Sequence, residues 1–104
     1  MARFDVYAHP DAALRKGTPF LLDVQNEFIE ELDTRVVIPM RPVSRLHHRL
    51  RDLHPEFEVE GTRVVLDTPA LAAFPARELT RRVANLGKQR TDILAAMDSL
   101  FGSW

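Results

Sequence analysis

The first residues that could carry out chemistry form a histidine-rich stretch in the middle of the chain. Its possible metal ligands are His47, His48, Asp52 and His54. Adjacent side chains diverge on a strand or a helix, so His47 and His48 are poorly placed to share one ion. The spacing H-E-x-x-H is absent, and the chain contains no cysteine. The stretch is interpreted as a solvated basic loop, and no metal site is predicted.

Acid/base and nucleophilic catalysis have no stronger support in the sequence. Carboxylates gather at Asp23, Glu27, Glu30 and Glu31, but a run of acids at the end of a strand is usually a solvated turn. The serines lie in no G-x-S-x-G context, and the four glycines are scattered singly, so no phosphate-binding loop is predicted. No catalytic residue and no cofactor are predicted.

A basic run occupies residues 41–51, with Arg41, Arg45, Arg49 and Arg51. It lacks the interleaved aromatic residues that stack on bases. The chain as a whole carries 14 basic and 15 acidic residues, for a formal net charge of −1, which does not favour a nucleic-acid partner. The run fits either a plain charged surface or a docking face for an acidic peptide.

Short strands must position these residues. Alternating apolar and polar residues predict a half-buried strand at residues 4–9. Residues 20–29 predict a second, longer strand, and residues 35–38 a third, with Pro39 at its end or at an edge. Residues 41–53 predict a short helix or a compact loop.

The second half of the chain predicts a hairpin and a helix. Alternation in residues 56–66 around Gly61 is typical of a β-hairpin. Residues 77–86 fit a helix or a strand equally well. The spacing of apolar residues after Thr91, an expected N-cap, predicts a C-terminal helix that stops at Gly102.

Length and composition predict one soluble domain over residues 1–104, with 45% hydrophobic and 28% charged residues. The N-terminus lacks the apolar run of a signal peptide, and no stretch approaches transmembrane length, so a cytoplasmic protein without membrane contact is expected. The predicted fold class is α+β and mostly antiparallel β, with the helix packed on the sheet. A binding protein is favoured over an enzyme.

Several stretches together resemble the CcdB family of toxins from toxin–antitoxin modules. They follow the family's order over nearly the whole chain: Phe4-Asp5-Val6-Tyr7, Leu22-Asp23-Val24-Gln25, Val37-Ile38-Pro39-Met40, His54-Pro55, the hairpin around Gly61, Val83-Ala84-Asn85-Leu86, Asp92-Ile93, Ala96 and Leu100-Phe101. The resemblance implies an SH3-like barrel of the CcdB/MazF type with a small accessory sheet and a C-terminal helix. It also places residues 75–79 in a strand.

The resemblance implies a homodimer that is not an enzyme. Family members bind the A subunit of DNA gyrase, trap the cleaved gyrase–DNA complex and so poison replication. A CcdA-like antitoxin neutralises the toxin through a disordered segment, and the complex represses its own operon. Contact with DNA is therefore expected only through the antitoxin complex, in a setting of plasmid maintenance and transcriptional autoregulation.

Site residues follow from the same resemblance. The gyrase-binding positions fall on Asn26, Phe28, Ile29, Asp98, Phe101, Gly102, Ser103 and Trp104. The placement of positive charge together with the resemblance assigns antitoxin binding to Arg15, Lys16, Arg41 and Arg45. Apolar anchors beside polar groups are typical of interface hot spots, and an acidic, disordered segment would complement a basic surface.

The sequence departs from the family at its end. Members that poison gyrase typically finish Phe-Trp-Gly-Ile, whereas this chain finishes Phe101-Gly102-Ser103-Trp104. Either Trp104 substitutes for the family tryptophan, or the chain is a diverged member that is retained for antitoxin binding and autoregulation without poisoning. An endoribonuclease of the MazF/Kid type is a further alternative, but the G-x-x-R-P-x-V-V stretch of those nucleases is absent.

Overall fold

The computed structural model describes residues 1–29 and 31–102, so the predictions made for Glu30, Ser103 and Trp104 lie outside the described residues. The strands are β1 (Asp5–Ala8), β2 (Phe20–Asp23), β3 (Thr34–Pro42), β4 (Glu56–Val59), β5 (Thr62–Leu66), β6 (Ala72–Pro75) and β7 (Arg82–Asn85), and the helix is α1 (Arg90–Phe101). Single turns of 3₁₀ helix lie at Ala12–Leu14, Val43–Arg45, Thr68–Ala70, Ala76–Glu78 and Gly87–Gln89.

The strands form one curled, half-barrel sheet in the order β4-β5-β3-β2-β1-β7, and β6 pairs with the first part of β3. Every pairing is antiparallel. The predicted α+β, mostly antiparallel class with a C-terminal helix is therefore confirmed. The hairpin β4–β5 joins this sheet through β3, so the accessory sheet is not a separate sheet among the described residues.

Strand β3 is longer than predicted because Pro39 does not end it. On one side the middle of β3, from Val37 to Met40, pairs with β2, and Pro39 lies opposite Leu21. On the other side it pairs with β6 up to Val37 and with β5 from Met40 onward. Pro39 lies where the strand changes partner, and its carbonyl accepts a hydrogen bond from the Asp67 N–H at 2.9 Å. The missing proline N–H therefore costs no ladder hydrogen bond.

The central strands are buried on both faces, which corrects the prediction of a half-buried first strand. One face packs against α1 in a core that includes Val6, Leu22 and Ile93. The other face forms a smaller cluster around Tyr7 and Leu21. Every residue of β1 and β2 is buried. Coverage of both faces explains why β2 is apolar at the successive positions Phe20, Leu21 and Leu22, and why Asp5 and Tyr7 of β1 are buried although the strand alternates.

Two predicted element boundaries are wrong, and one open assignment is resolved. The second strand ends at Asp23, because the chain turns at Asn26, whose carbonyl accepts a hydrogen bond from the Ile29 N–H at 3.1 Å. Residues 75–79 are not a strand: β6 ends at Pro75, and the Leu79 N–H closes a 3₁₀ turn on the carbonyl of Ala76. Residues 82–85 form β7, which resolves the ambiguity over residues 77–86.

The helix ends as predicted and begins two residues earlier than expected. Gly102 is left-handed at φ +70°, and its N–H caps the carbonyl of Asp98 at 2.8 Å, the usual role of glycine at a helix C-terminus. Thr91 lies inside the helix and is not the N-cap. The N-cap residue is Gln89, and its side chain makes no capping hydrogen bond. Residues 43–53 contain one 3₁₀ turn and otherwise a loop.

Tyr7 is the only tyrosine in the chain, and it lies in the smaller buried cluster of the sheet. Its titration therefore tests whether that face of the sheet is buried. Burial, reinforced by the negative charges of Asp5 and Asp23, raises the pKa of Tyr7 from 10.0 to about 12. Because the folded pKa is raised, Tyr7 favours the folded state below pH 10, and this contribution is lost as the pH rises towards 12. Tyrosinate absorbance in the folded protein should titrate near pH 12. A midpoint near 10, as expected in urea, would show that Tyr7 is exposed.

Candidate functional site

The connection between β2 and β3 presents apolar side chains to solvent. Phe28 is 88% exposed, Ile29 is 44% exposed and Leu32 is 54% exposed. The turn itself is ordered by the side chain of Asn26, which accepts a hydrogen bond from the Phe28 N–H at 2.9 Å. A phenylalanine this exposed gains nothing from the core of its own chain, and aromatic side chains of this kind are typical anchors at protein interfaces.

A buried ion pair lies at the base of this turn. The guanidinium of Arg35 donates to both carboxylate oxygens of Asp23, at 2.8 and 3.0 Å. The side chains are 3% and 0% exposed respectively. Burial raises the pKa of Asp23, and the hydrogen bonds and charge of Arg35 oppose that rise. Because both charges are withdrawn from water, the two-pronged geometry is needed to compensate their desolvation.

The same network holds the turn to the sheet. Arg35 also donates to the carbonyl of Ile29 at 3.3 Å and to that of Gln25 at 3.4 Å. The Gln25 side chain donates to the carbonyl of Ile29 at 3.2 Å and accepts from the Val36 N–H at 3.0 Å. The backbone next to Phe28 is therefore fixed from below by buried groups, and the exposed ring is presented on a preorganised turn.

A cleft of about 410 Å³ opens beside the turn. It is lined by Arg3, Phe4, Asn26, Glu27, Phe28, Gly87 and Arg90. Phe4 has a left-handed backbone with φ +70°, which is unusual for an aromatic residue. The Phe4 N–H donates to the backbone carbonyl of Asp23 at 2.7 Å, and the Phe4 carbonyl accepts from the Leu86 N–H at 2.9 Å. These bonds hold the strained residue between β2 and the end of β7.

The predicted gyrase-binding residues fall into two groups. Asn26, Phe28 and Ile29 lie on the turn, and Asn26 and Phe28 line a cleft together with Arg90 at the N-terminal end of α1. Asp98, Phe101 and Gly102 lie at the opposite end of α1; Phe101 is 66% exposed. At a rise of about 1.5 Å per residue, the helix separates Phe101 from Arg90 by roughly 16 Å. The structure does not bring the two groups together within one chain.

The predicted antitoxin-binding residues lie on two adjoining segments. Arg41 donates to the hydroxyl of Thr18 at 2.6 Å, so β3 is tied to the loop that carries Arg15 and Lys16. Arg41 also forms an ion pair with Asp67 at 2.7 Å. Its charge is thus already compensated within the chain. Arg45 ends the 3₁₀ turn after β3 and is exposed.

Residues that the sequence offered as metal ligands or catalytic acids form contacts within the fold instead. Among the described residues, no group of three or more histidine, aspartate or glutamate side chains is placed to hold a metal ion. His54 is buried; its Nε2 lies 3.3 Å from Asp67, and its Nδ1 accepts from the Leu50 N–H. Asp23 is occupied by Arg35 and is not free for acid/base work. No helix within the described ranges is long and apolar enough to cross a membrane.

Sequence reasoning missed the residues that support the turn. Gln25 and Arg35 were assigned no role in the site, and neither were Arg3 and Arg90, which line the cleft. One signal was present in the sequence: an acid in an otherwise apolar strand, Asp23, and an arginine that opens the next strand. Opposite charges at facing ends of two strands on either side of a loop indicate a pair that closes the loop.

Comparison with known proteins identifies the family. A search among curated proteins found no match. The family model described as CcdB protein matches residues 3–102, which is nearly the whole chain. The match therefore covers the sheet, the turn with its exposed phenylalanine, and α1 up to its glycine cap. The chain belongs to the CcdB family, whose proteins are toxins of toxin–antitoxin systems.

Proposed function

We propose that this protein is a homodimeric toxin that binds the A subunit of DNA gyrase and traps the cleaved gyrase–DNA complex. The observation that carries the proposal is Phe28, 88% exposed on a turn that a buried ion pair holds in place, in a chain of the CcdB family. A rigidly presented aromatic ring is a suitable anchor, because little conformational entropy remains to be lost on binding. The action is by binding and not by catalysis.

Further features of the proposal follow the family. The protein acts in the cytoplasm as a single domain over residues 1–104, and its curled sheet with α1 is an SH3-like barrel. A CcdA-like antitoxin neutralises it, and the complex of the two proteins contacts DNA through the antitoxin to repress the operon. The direct test is titration of the purified gyrase A subunit by calorimetry, with light scattering to give the mass of the toxin. Absence of heat at micromolar concentrations would overturn gyrase binding.

The end of α1 favours a second candidate, a family member that binds its antitoxin without poisoning gyrase. Gly102 serves as the helix cap at φ +70°, so the position after Phe101 carries no side chain where gyrase poisons of the family have tryptophan. Comparison of the full chain with a variant that ends at Phe101 separates the possibilities. If the full chain alone poisons gyrase, the last three residues have taken over the family's terminal role. If neither variant does, the second candidate is favoured.

Antitoxin binding is expected to depend on the exposed members of the basic surface. Reversing charge in the double variant Lys16→Glu/Arg45→Glu should weaken binding of the antitoxin's C-terminal segment by about tenfold or more, because rim charges attract an acidic peptide. Arg41 is left intact, since its reversal would break the ion pair with Asp67. Arg81→Glu, at an exposed position on the connection before β7, is the matched control. Affinities equal to that of the wild type in a fluorescence titration would reject this surface.

The ribonuclease alternative has a simple test. Purified protein incubated with RNA in the absence of divalent metal should leave the RNA intact if it is a gyrase toxin. Specific cleavage fragments would instead favour the MazF/Kid type of activity.

A further inference from the structure

The cleft between the turn and the start of α1 carries positive charge, and the proposed function assigns no role to it. Arg3 and Arg90 line it, and Glu27 is the acidic residue among the lining side chains. Within residues 1–29 and 31–102, neither arginine forms an ion pair. Two guanidinium groups against one carboxylate leave a net positive cleft in a chain whose formal net charge is −1.

Arg3 is held in position although no acid in the described residues pairs with it. Its Nε donates to the carbonyl of Val24 at 3.0 Å, and its guanidinium carbon lies 5.0 Å from the centre of the Phe4 ring. These contacts use one N–H and one face of the guanidinium. The terminal nitrogens of Arg3 have no hydrogen-bond partner in the part of the chain that the structure describes. A planar donor of this kind, fixed in advance, is suited to a carboxylate.

The walls of the cleft are tied to one another by Asn85. Its side-chain oxygen accepts from the Gly87 N–H at 2.8 Å, and its side-chain nitrogen donates to the carbonyl of Arg3 at 3.2 Å and to Asp5 at 2.9 Å. A Cβ atom on Gly87 would lie 2.8 Å from the Asn85 oxygen. A larger residue at position 87 would therefore displace the Asn85 side chain, whose hydrogen bonds join the wall before α1 to the wall that carries Arg3.

The remaining wall consists of two phenylalanines, of which Phe28 is exposed and Phe4 is buried. Phe28 stands at the mouth of the cleft with 88% of its surface in solvent, while Phe4 is 5% exposed. A ligand that satisfies both arginines and also covers Phe28 needs an acidic group next to an apolar or aromatic group. A nucleic-acid strand fits less well, because a polyanion gains affinity from many cations, whereas this cleft has two and also contains Glu27.

We propose that this cleft binds an aspartate or glutamate of the protein partner, with Arg3 and Arg90 taking the carboxylate and Phe28 covering an adjacent apolar residue. The identity of the partner as gyrase rests on the proposed function; the carboxylate site does not. Glu27 competes with the incoming acid, so removing its charge should tighten binding. The cleft thus extends the surface around Phe28 towards the start of α1.

The test uses a pair of probes that differ in one charge. N-acetyl-phenylalanyl-glutamate amide and its glutamine counterpart are titrated into the full chain while the amide resonances of Gly87 and Asn26 are followed. The acidic probe should bind at least threefold more tightly than the neutral one and should weaken with salt. Arg3→Gln and Arg90→Gln should each remove that preference, and Glu27→Gln should increase it. Arg81→Gln, at an exposed position that does not line the cleft, should leave it unchanged.

Equal binding of the two probes, or a preference that survives both Arg3→Gln and Arg90→Gln, would overturn the carboxylate site. Displacement of the acidic probe by a short oligonucleotide at lower concentration would also overturn it in favour of a phosphate site. A second experiment measures binding of the gyrase A subunit to the wild type and to the variant Arg3→Gln/Arg90→Gln. If the probes behave as expected and gyrase does not bind, the proposed function fails alone. If gyrase binds with equal affinity to wild type and to Arg3→Gln/Arg90→Gln, the carboxylate site in the gyrase complex is rejected.

Discussion

Replacing Arg35 by methionine is expected to lower the free energy of unfolding by about 3–5 kcal/mol, the usual cost of removing one partner of a buried ion pair. The substitution leaves the carboxylate of Asp23, which is 0% exposed, without its two charged donors. It also removes one of the two donors to the carbonyl of Ile29, the other being the Gln25 side chain. Urea denaturation at fixed protein concentration measures the change.

Two further variants test whether the loss of stability comes from breaking the buried Asp23–Arg35 pair. Arg82→Met breaks a pair in which the arginine is 59% exposed, so it should cost less than about 1 kcal/mol. The double variant Asp23→Leu/Arg35→Met removes both buried charges and should regain part of the loss. If Arg35→Met and Arg82→Met were equally stable, the pair would not hold the β2–β3 connection.

Replacing Phe28 by alanine should weaken gyrase A binding by about 2 kcal/mol or more, which is roughly thirtyfold, because a truncated hot-spot residue commonly costs this much. The folded state should not change. Phe28 is 88% exposed, and substitutions at such positions usually alter stability by less than about 0.5 kcal/mol. Calorimetric titration of gyrase A, together with a thermal melt, separates the two effects.

The matched control for Phe28 is Leu50→Ala. Leu50 is 62% exposed and lies on the loop before β4, where it does not line the cleft beside Phe28. Its truncation should leave gyrase affinity within about twofold of the wild type. Equal losses in the two variants would point to a general effect of surface hydrophobicity. No loss in either would remove the β2–β3 turn from the interface.

The β4–β5 hairpin and the end of the helix were predictable, because there local pattern and turn chemistry agree. The hairpin around Gly61 forms because alternation and turn chemistry specify the same structure, and Gly102 ends α1 because a left-handed cap favours glycine. Pro39 was misleading. Its effect depends on where β3 changes from one neighbour to another, and that is a property of the sheet as a whole.

The site was predictable only in part. The family resemblance pointed to Phe28, but the reasons for its presentation come from pairs distant in sequence. Arg35 meets Asp23 across twelve positions, and Asn85 meets Arg3 across eighty-two. Such contacts leave no periodic signal. Asp23 stands out as an acid in an otherwise apolar strand, but its neighbours do not identify Arg35 as its partner. The long second strand was wrong for a related reason: apolar Phe28 and Ile29 continue the pattern of a strand, while Asn26 turns the chain away from the sheet.

The measurement that tests gyrase poisoning most directly is a cleavage assay with supercoiled DNA, ATP and gyrase, scored for linear DNA after protein denaturation. The wild-type chain should produce linear DNA in proportion to its concentration, and Leu50→Ala should match it. Phe28→Ala should need roughly thirtyfold more protein for the same yield, in line with its weaker binding. Linear DNA at background level with excess, correctly folded wild-type protein would contradict the account and leave a CcdB-family protein that does not poison gyrase.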